Sequence, residues 1–441
     1  MSVMRRYIAI SERLRILKPL SKKSLVSKAV KTQDFMANPV FPNDARWMGA
    51  AIAESRRAVG NSGVNPPVGC VLVTAGGHLL ASGHTGVAGV PHAEAAVLAT
   101  LDDMGRSAIR GGTAYVTLEP CAHHGKTPPC ADALIATGIA RLVVAIKDPD
   151  TRVNGAGMQR IAAAGIEVCL GVKAKEAHDV MRGFINRIQY NKPLCSLKIA
   201  ASIDGKIALA DGEKRWLTGP RMRRYVHLLR SQADAIITGI GTVLADNPQM
   251  NCRNAGLEDL SPPVFVFDRL LRIPSDAALL QSQHPLTLFC GEGAPAHRRE
   301  ELGAAGCVIV VLPNDANGKP DVEAALRYLG ETGVNNAFVE AGTGLVTSFL
   351  SADAVDQIYW TQSDDILGAD ALPAIGGLTP PAGTLSHCSP ALHRTTTDTA
   401  AINTVAISVE NKYIQSHHQM IGGDRLIILQ KQPADRGKAQ A

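Results

Sequence analysis

At 441 residues the chain is too long for one ordinary core, so two domains of about 150 to 250 residues are expected. Apolar residues make up 46% and charged residues 19%, the balance of a packed enzyme, and no apolar run approaches the roughly 18 residues of a membrane span. Residues 1–35 hold nine Lys and Arg against Glu12 and Asp34, a surplus that exceeds the whole chain's +5 and leaves the remainder at about −2; with aromatics at 4%, a nucleic-acid groove is not expected.

The basic leader, taken to residue 43, reads as a disordered extension or as a start upstream of Met36, with an organellar transit peptide as the lesser reading. Nine cysteines, an odd and sparse set, point to a reducing compartment, the cytoplasm. From Asp44, "ARWMGAAIAESRRAVG" places Trp47, Met48, Ala51, Ile52, Ser55 and Val59 at helical spacing, with Gly60 as the stop. "VGCVLVTAGGHLLASG" is a hairpin turning at Gly76 and Gly77. A helix over 92–101, the strand "TAYVTL", the helix "CADALIATG", the strand "RLVVAIKD", a helix over 157–164 and the strand "IEVCLGV" follow. Such alternation predicts an α/β sheet.

A helical connector, "KEAHDVMRGFINRIQYN", runs to Pro193, so the boundary is placed near Lys192, giving domains of 44–191 and 192–431 and a frayed tail of 432–441. The second half alternates again: strand "LCSLKIAAS", helix "PRMRRYVHLLRSQ", strands "DAIITGIG", "VFVFD", "LTLFC" and "CVIVVL", helix "DVEAALRYLGE", strand "NAFVEAG", helix "TGLVTSFLSA" and strand "DQIYWTQ".

Two cysteines end the loop "EPCAHHGKTPPC", and a disulfide, a metal site or chance are the three readings. His92-Ala93-Glu94 opens a helix, and Cys121 and Cys130 come 29 and 38 residues after His92. One imidazole and two thiolates are three of the four tetrahedral ligands zinc prefers, which leaves a place for water, as catalysis requires. Glu94, at the helix start, is placed to take that water's proton and deliver it to a leaving amine. Helix N-termini also stabilise thiolates.

"PHAEAAVL" with "TLEPCAHHGKTPPC" resembles the zinc deaminases of the cytidine deaminase type, whose pattern is HxE with PCxxC. Eight residues between the cysteines instead of two is the form of the bifunctional riboflavin-biosynthesis deaminase/reductase family, and "NPPVGCV" is similar to that family's substrate strand. The resemblance implies zinc on His92, Cys121 and Cys130 with Glu94 as the proton shuttle. It offers Asn65, His123 and Lys126 as pyrimidine or phosphate contacts, against an equal reading as loop-structuring residues. "DPDTRVNGAG" resembles a family motif but has Asp150 where Asn is usual, and stays unassigned.

Bottom-up, the second half shows only two glycine turns, "ITGIGT" and "EAGTG", which suit a dinucleotide's pyrophosphate or are ordinary turns using glycine for φ > 0. "SLKIAASIDGKIA", "RWLTG", "LLRSQADAIITGIGTVLADNPQMNCR" and "FVEAGTGLVTSFL" resemble, in order, the same family's reductase domain. That implies a cytidine-deaminase-like α/β/α domain followed by a dihydrofolate-reductase-like α/β domain that uses NADPH. By matching position, Ala200, Trp216, Thr242, Asp246, Gly342, Thr343, Gly344, Leu345, Val346, Thr347 and Ser348 would line the cofactor. Arg230, Met250, Arg253 and Glu340 would hold the substrate, with Arg230 and Arg253 each offering a bidentate fork to its phosphate.

Lys198 and Asp204 are candidates to assist protonation, against an ordinary ion pair. Lys214, where Ser or Thr is usual, would contact the phosphate by its ammonium group. Arg269, after "VFVFD", is a candidate for the cofactor's extra phosphate. The implied function is hydrolytic deamination of 2,5-diamino-6-(5-phosphoribosylamino)pyrimidin-4(3H)-one, then reduction of its ribosyl group to ribityl. Its rivals are a nucleotide or tRNA deaminase with a degenerate second domain, and a non-catalytic zinc-stabilised binding protein whose fourth ligand is His123 or His124. Small-molecule substrate, no nucleic acid, no membrane and a homo-oligomer of two or four copies complete the expectation.

Overall fold

The computed structural model describes residues 40–122, 128–151, 153–210, 215–377 and 412–432. Residues 1–39 of the basic leader, His123, His124, Lys126, Lys214 and the tail from 433 lie outside the described residues. The chain divides into two compact units, one reaching to Pro193 and the other starting at Leu194. Leu329–Asn335 groups with the first unit, which no linear reading of composition indicates.

In the first unit, helix α1 (Asp44–Ala58) buries Trp47, Met48, Ala51, Ile52 and Ser55. It lies so close to strand β1 (Gly69–Val73) that a Cβ on Gly69 would fall 1.9 Å from the Ala51 carbonyl oxygen, so only glycine fits there. The sheet order is β2 (Leu79–His84), β1, β3 (Thr113–Leu118), β4 (Arg141–Ile146), β5 (Glu167–Leu170). β1 is antiparallel to β2 and β3, and β3, β4 and β5 run parallel. Helices α2 (Ala93–Leu98), α3 (Asp103–Ala108), α4 (Cys130–Thr137), α5 (Ala156–Ala163) and α6 (Ala174–Tyr190) complete the unit. The expected helix over 92–101 is shorter, and α3 was not anticipated although it carries its own signal: Asp102 accepts the Gly105 N–H at 2.8 Å as an N-cap.

One buried ion pair fastens this sheet to α1. Asp44 accepts from Arg141 Nη1 at 2.8 Å, Arg141 Nη2 at 3.0 Å and the Tyr115 hydroxyl at 2.9 Å. Burial alone would raise the Asp44 carboxyl; the Arg141 hydrogen bonds outweigh it and hold it below the usual carboxylate value. Replacing Asp44 with Ala leaves the Arg141 charge buried beside a half-exposed Glu167, so a cost of about 3–5 kcal/mol is expected in thermal unfolding followed by circular dichroism. An Asp44→Ala chain that melts with the wild type refutes this. In the wild type the pair's contribution is full above the unfolded Asp value of about 3.9, and is lost as pH falls through the depressed folded value.

The second unit holds a nine-stranded sheet among the described residues, ordered β11 (Val308–Leu312), β10 (Leu286–Gly291), β9 (Val264–Phe267), β8 (Ala235–Gly239), β12 (Asn336–Glu340), β6 (Leu194–Ala201), β13 (Gln357–Gln362), β16 (Asp424–Lys431), β15 (Tyr413–Ile421). From β11 to β13 neighbouring strands are parallel, and the last two pairings are antiparallel. β8, β9 and β10 are buried along their whole length, which explains their unbroken apolar sequences. Helices α7 (Pro220–Ser231), α8 (Ile240–Asp246), α9 (Ala296–Ala304), α10 (Val322–Glu331) and α11 (Thr343–Ser351) connect the strands, with a small ladder between β7 (Lys206–Ala208) and β14 (Leu372–Pro373). The sequence reading missed α8, whose first two residues it gave to the strand "DAIITGIG", and also α9, β7, β14 and the β15–β16 hairpin; β15 is polar and exposed along most of its length, so it lacks the alternation that marks a half-buried strand. No helix among the described residues is long and apolar enough to cross a membrane.

Candidate active sites

In the first unit three elements converge. His92 is the N-cap residue of α2, Cys121 follows β3 across Glu119 and Pro120, and Cys130 is the first residue of α4. His92 Nδ1 lies 3.7 Å from Cys121 Sγ and 3.4 Å from Cys130 Sγ, and the three donor atoms fall within 4.8 Å of one another. The Cys130 backbone N–H donates to Cys121 Sγ at 3.3 Å, the helix-terminus contact expected to favour a thiolate. The hydrogen bond from Cys130 is the first cause that lowers the Cys121 thiol, and the same contact raises that of Cys130. Hydrogen bonding to Cys121 likewise raises His92.

This donor set suits zinc: a borderline-soft imidazole and two sulfurs already gathered at one point, with no disulfide between them. Glu94 sits in the first turn of α2, 4% exposed, near enough to Cys121 and His92 for their charges to act on it. Burial is the main cause that raises its carboxyl above the ordinary value.

Glu119, missed by the sequence reading and two residues before Cys121, ties the end of β3 to the backbone that leads into α5. Its buried carboxylate accepts the backbone N–H groups of Gly155 at 2.9 Å and Gly157 at 3.0 Å, and the Asp148 N–H at 3.3 Å. A Cβ on Gly157 would meet the Pro120 carbonyl oxygen at 1.9 Å, so glycine there lets α5 abut the residue before Cys121. The unassigned "DPDTRVNGAG" segment is thus partly a support for the Cys121 loop. Asn65 donates to the Gly89 carbonyl at 3.1 Å, and Gly89 has φ +85, which ties this amide to the segment before His92.

In the second unit a cavity of about 1560 Å³ opens along the carboxyl ends of the parallel strands. Its lining includes Ala200, Trp216, Thr242, Asp246, Gly342, Thr343, Gly344, Leu345, Val346 and Ser348 from the cofactor set, and Arg230, Met250, Arg253 and Glu340 from the substrate set. Lys198 and Arg269 line it too. Thr347 does not: its hydroxyl donates to the Thr343 carbonyl and accepts the Gly376 N–H at 2.8 Å. Asp204 is also outside the lining, its carboxylate taken by the Leu367 and Gly368 N–H groups and the Ser202 hydroxyl, so it anchors a turn.

The glycine turns meet as a pair. "ITGIGT" carries the start of α8, "EAGTG" the start of α11, and the Gly342 N–H donates to Thr242 Oγ1 at 3.2 Å, locking one turn to the other. Trp216, 73% exposed, stands under the Arg223 guanidinium at 4.7 Å.

Arg230 differs from its expectation as a free phosphate fork. Its Nε donates to Glu340 Oε1 at 2.5 Å and its Nη2 to Glu340 Oε2 at 3.1 Å, while Nη1 donates to the Asn251 carbonyl at 2.9 Å. A fork already closed on a carboxylate positions that carboxylate and is not offered to a phosphate. Lys198 approaches Glu340 at 4.0 Å, and burial lowers its ammonium below the usual lysine value. Arg253 keeps its fork, steadied by His227 Nε2 at 3.3 Å; burial lowers His227 and favours the neutral ring that can accept. Met250 and Asn247 hold φ of +48 and +43, left-handed backbone of the kind that persists where a site over-determines it.

A zinc-type donor set beside a buried carboxylate, and a strand-end cavity with two helix-starting glycine turns, define a hydrolytic deaminase joined to a nicotinamide-dependent reductase. Residues 42–146 match the cytidine and deoxycytidylate deaminase zinc-binding region, and residues 193–401 match the RibD C-terminal domain. The chain belongs to the RibD family of bifunctional riboflavin biosynthesis enzymes, with a zinc-dependent deaminase domain and a dihydrofolate-reductase-like domain that uses NADPH. It is 37% identical over 333 residues to riboflavin biosynthesis protein RibD of Escherichia coli K12, covering 74% of this chain and 89% of that protein. The RibD of Aquifex aeolicus is 34% identical over 325 residues, covering 74% and 88%. The solved Acinetobacter baumannii RibD, form 1, superposes with a TM-score of 0.73 at 30% identity, covering 89% of this chain and 99% of that one. A Thermotoga maritima structure titled as a diaminohydroxyphosphoribosylaminopyrimidine deaminase and 5-amino-6-(5-phosphoribosylamino)uracil reductase gives 0.72 at 30% identity, covering 88% and 99%.

Proposed function

We propose that His92 Nδ1, Cys121 and Cys130 hold the zinc of the deaminase and that Glu94 moves the protons. The observation that carries this is the meeting of three donor atoms within 4.8 Å beside a buried carboxylate on the helix that His92 caps. When bound, zinc makes a nucleophile of water at neutral pH, and NADPH supplies the hydride in the other domain. Glu94 takes the water's proton and returns it to the amine that leaves C2 of 2,5-diamino-6-(5-phosphoribosylamino)pyrimidin-4(3H)-one. The Cys121 and Cys130 sulfurs stay fixed because Glu119 ties the loop to α5.

In the reductase the Gly342–Leu345 turn and Thr242 receive the dinucleotide pyrophosphate at the start of α11. Glu340 is held by Arg230 with its oxygens at the cavity wall, where it orients the ribosyl hydroxyls, and Lys198 beside it supplies a proton to the opening sugar. Arg253 binds the terminal phosphate. An intact cavity lined by these groups argues against a degenerate second domain, and with it the nucleotide or tRNA deaminase reading. The chain is read as a cytoplasmic enzyme on a free small molecule, without nucleic-acid or membrane partners, assembled as two or four copies; the −2 balance outside the leader supports the first part.

Metal content and ammonia release, measured on the full chain, test the ligand set. The wild type is expected to carry about one zinc and to release ammonia, while Cys121→Ala and Cys130→Ala each lose both. Full zinc in both cysteine variants overturns the assignment.

A further inference from the structure

We propose that Arg272 and Lys319 join Arg269 in a cationic clamp for the 2′-phosphate of the dinucleotide, and that this clamp sets the chain's preference for NADPH over NADH. The inference rests on the reductase reading above. All three side chains line the cavity, and all three are exposed. Among the described residues none of them forms an ion pair, whereas Arg230 and Lys198 at the other end of the cavity are both engaged with Glu340.

Their placement follows from the strand order. The pyrophosphate turn leaves the end of β12, and β9 ends two strands away, about 10 Å along the sheet. A dinucleotide with its nicotinamide toward β6 and its pyrophosphate at β12 therefore carries its adenosine toward β9, where in comparable strand-end sites an Arg meets the 2′-phosphate. Arg269 and Arg272 stand on the loop directly after β9. Lys319 comes from the loop after β11, which folds back far enough to bring Arg269 Nη1 within 4.0 Å of where a Cβ on Gly318 would stand.

Both loops are braced in advance. Asp268 Oδ2 accepts the Ile273 N–H at 2.8 Å, and Arg298 donates to the Leu271 and Ile273 carbonyls at 3.0 and 2.6 Å. Between them Leu271 is held at φ +54 and turns its side chain into the core, leaving Arg272 outward. In the other loop Asp315 Oδ1 accepts the N–H groups of Asn317 at 2.8 Å and Lys319 at 2.9 Å. With both loop backbones braced, only the side chains remain to be ordered when an anion arrives, and a phosphate gains charge-assisted hydrogen bonds that a bare 2′-hydroxyl does not.

The test compares wild type with Arg272→Ala, Lys319→Ala and the double variant in the full chain, using the deaminated pyrimidine with NADPH or NADH. The ratio of kcat/KM for NADPH over NADH is expected to fall about tenfold per cation removed, through the KM of NADPH. Calorimetric binding of adenosine 2′,5′-bisphosphate should weaken by the same factor, with AMP as the reference that lacks the 2′-phosphate. A ratio and a bisphosphate affinity that both stay within twofold of wild type overturn the clamp. So does a raised KM for the pyrimidine at an unchanged ratio, which would give these cations to the substrate's phosphate instead. A wild type that oxidises neither donor would fail the reductase reading itself, and the bisphosphate titration would still decide the clamp.

Discussion

Glu94→Gln is expected to cut ammonia release by about 10²–10⁴-fold while leaving NADPH oxidation on the already deaminated pyrimidine intact. Among the described residues the groups coupled to this carboxylate are His92, the two cysteines and the buried Cys70 thiol, and α2 starts from His92 whether or not Glu94 is charged. Gln keeps the shape and removes the titratable oxygen, so zinc content should hold at the wild-type level. Discontinuous measurement of ammonia, beside absorbance at 340 nm for the reductase, separates the two activities on one sample. Ammonia release at the wild-type rate would remove Glu94 from the proton path.

Glu340→Leu should cost about 3–5 kcal/mol and abolish reduction, because it leaves Arg230 and Lys198 as two uncompensated cations in a confined wall. For a unit of this size that corresponds to a fall of roughly 6–20 °C in the melting of the second unit. Arg230→Met combined with Glu340→Leu removes the orphaned guanidinium and should regain most of the stability without regaining reduction. The split between recovered melting and absent activity distinguishes a carboxylate that meets substrate from one that only balances charge. Melting of Glu340→Leu at the wild-type temperature would contradict the buried pair, and recovered reduction in the double variant would take Glu340 out of the site. In the wild type burial raises the Glu340 carboxyl, and Arg230 overcomes this to lower it. The pair's contribution is accordingly full above the unfolded Glu value of about 4.3 and fades as pH falls through the folded value.

The deaminase centre was readable because its chemistry is local in sequence. HAE puts the candidate ligand His92 and the candidate proton carrier Glu94 at one helix terminus, and PC with a second cysteine at a later helix start offers the two sulfurs. Helix and strand types were readable for the same reason, since apolar periods of 3.6 and 2 reflect burial of single elements. Glu119 was not legible: its role appears only when the 148–157 backbone comes back to it across the sheet. Nor was the short helix α3, whose six residues carry too little periodicity to declare it.

The reductase half shows the limit more sharply. Glycine turns marked two strand ends, yet composition could not say that Thr242 and Gly342 would be hydrogen-bonded across them. Arg230 and Arg253 look alike as residue types, and the fold alone separates them by closing one on Glu340 and leaving the other to His227. Arg272 and Lys319 stand 47 residues apart and carry no motif; β9 and β11 face one cavity only because a parallel sheet collects its carboxyl ends on one edge.

By itself, then, the order of amino acids pointed to the class of chemistry, to a two-domain division near Lys192 and to His92, Cys121 and Cys130 as candidate zinc ligands, because each rests on short motifs or on a domain's own composition. The tertiary structure decided which charges are spent on one another and which remain for a ligand. That choice turns on distances between side chains a hundred or more residues apart, as between Arg230 and Glu340, and such distances exist only after the sheet has formed.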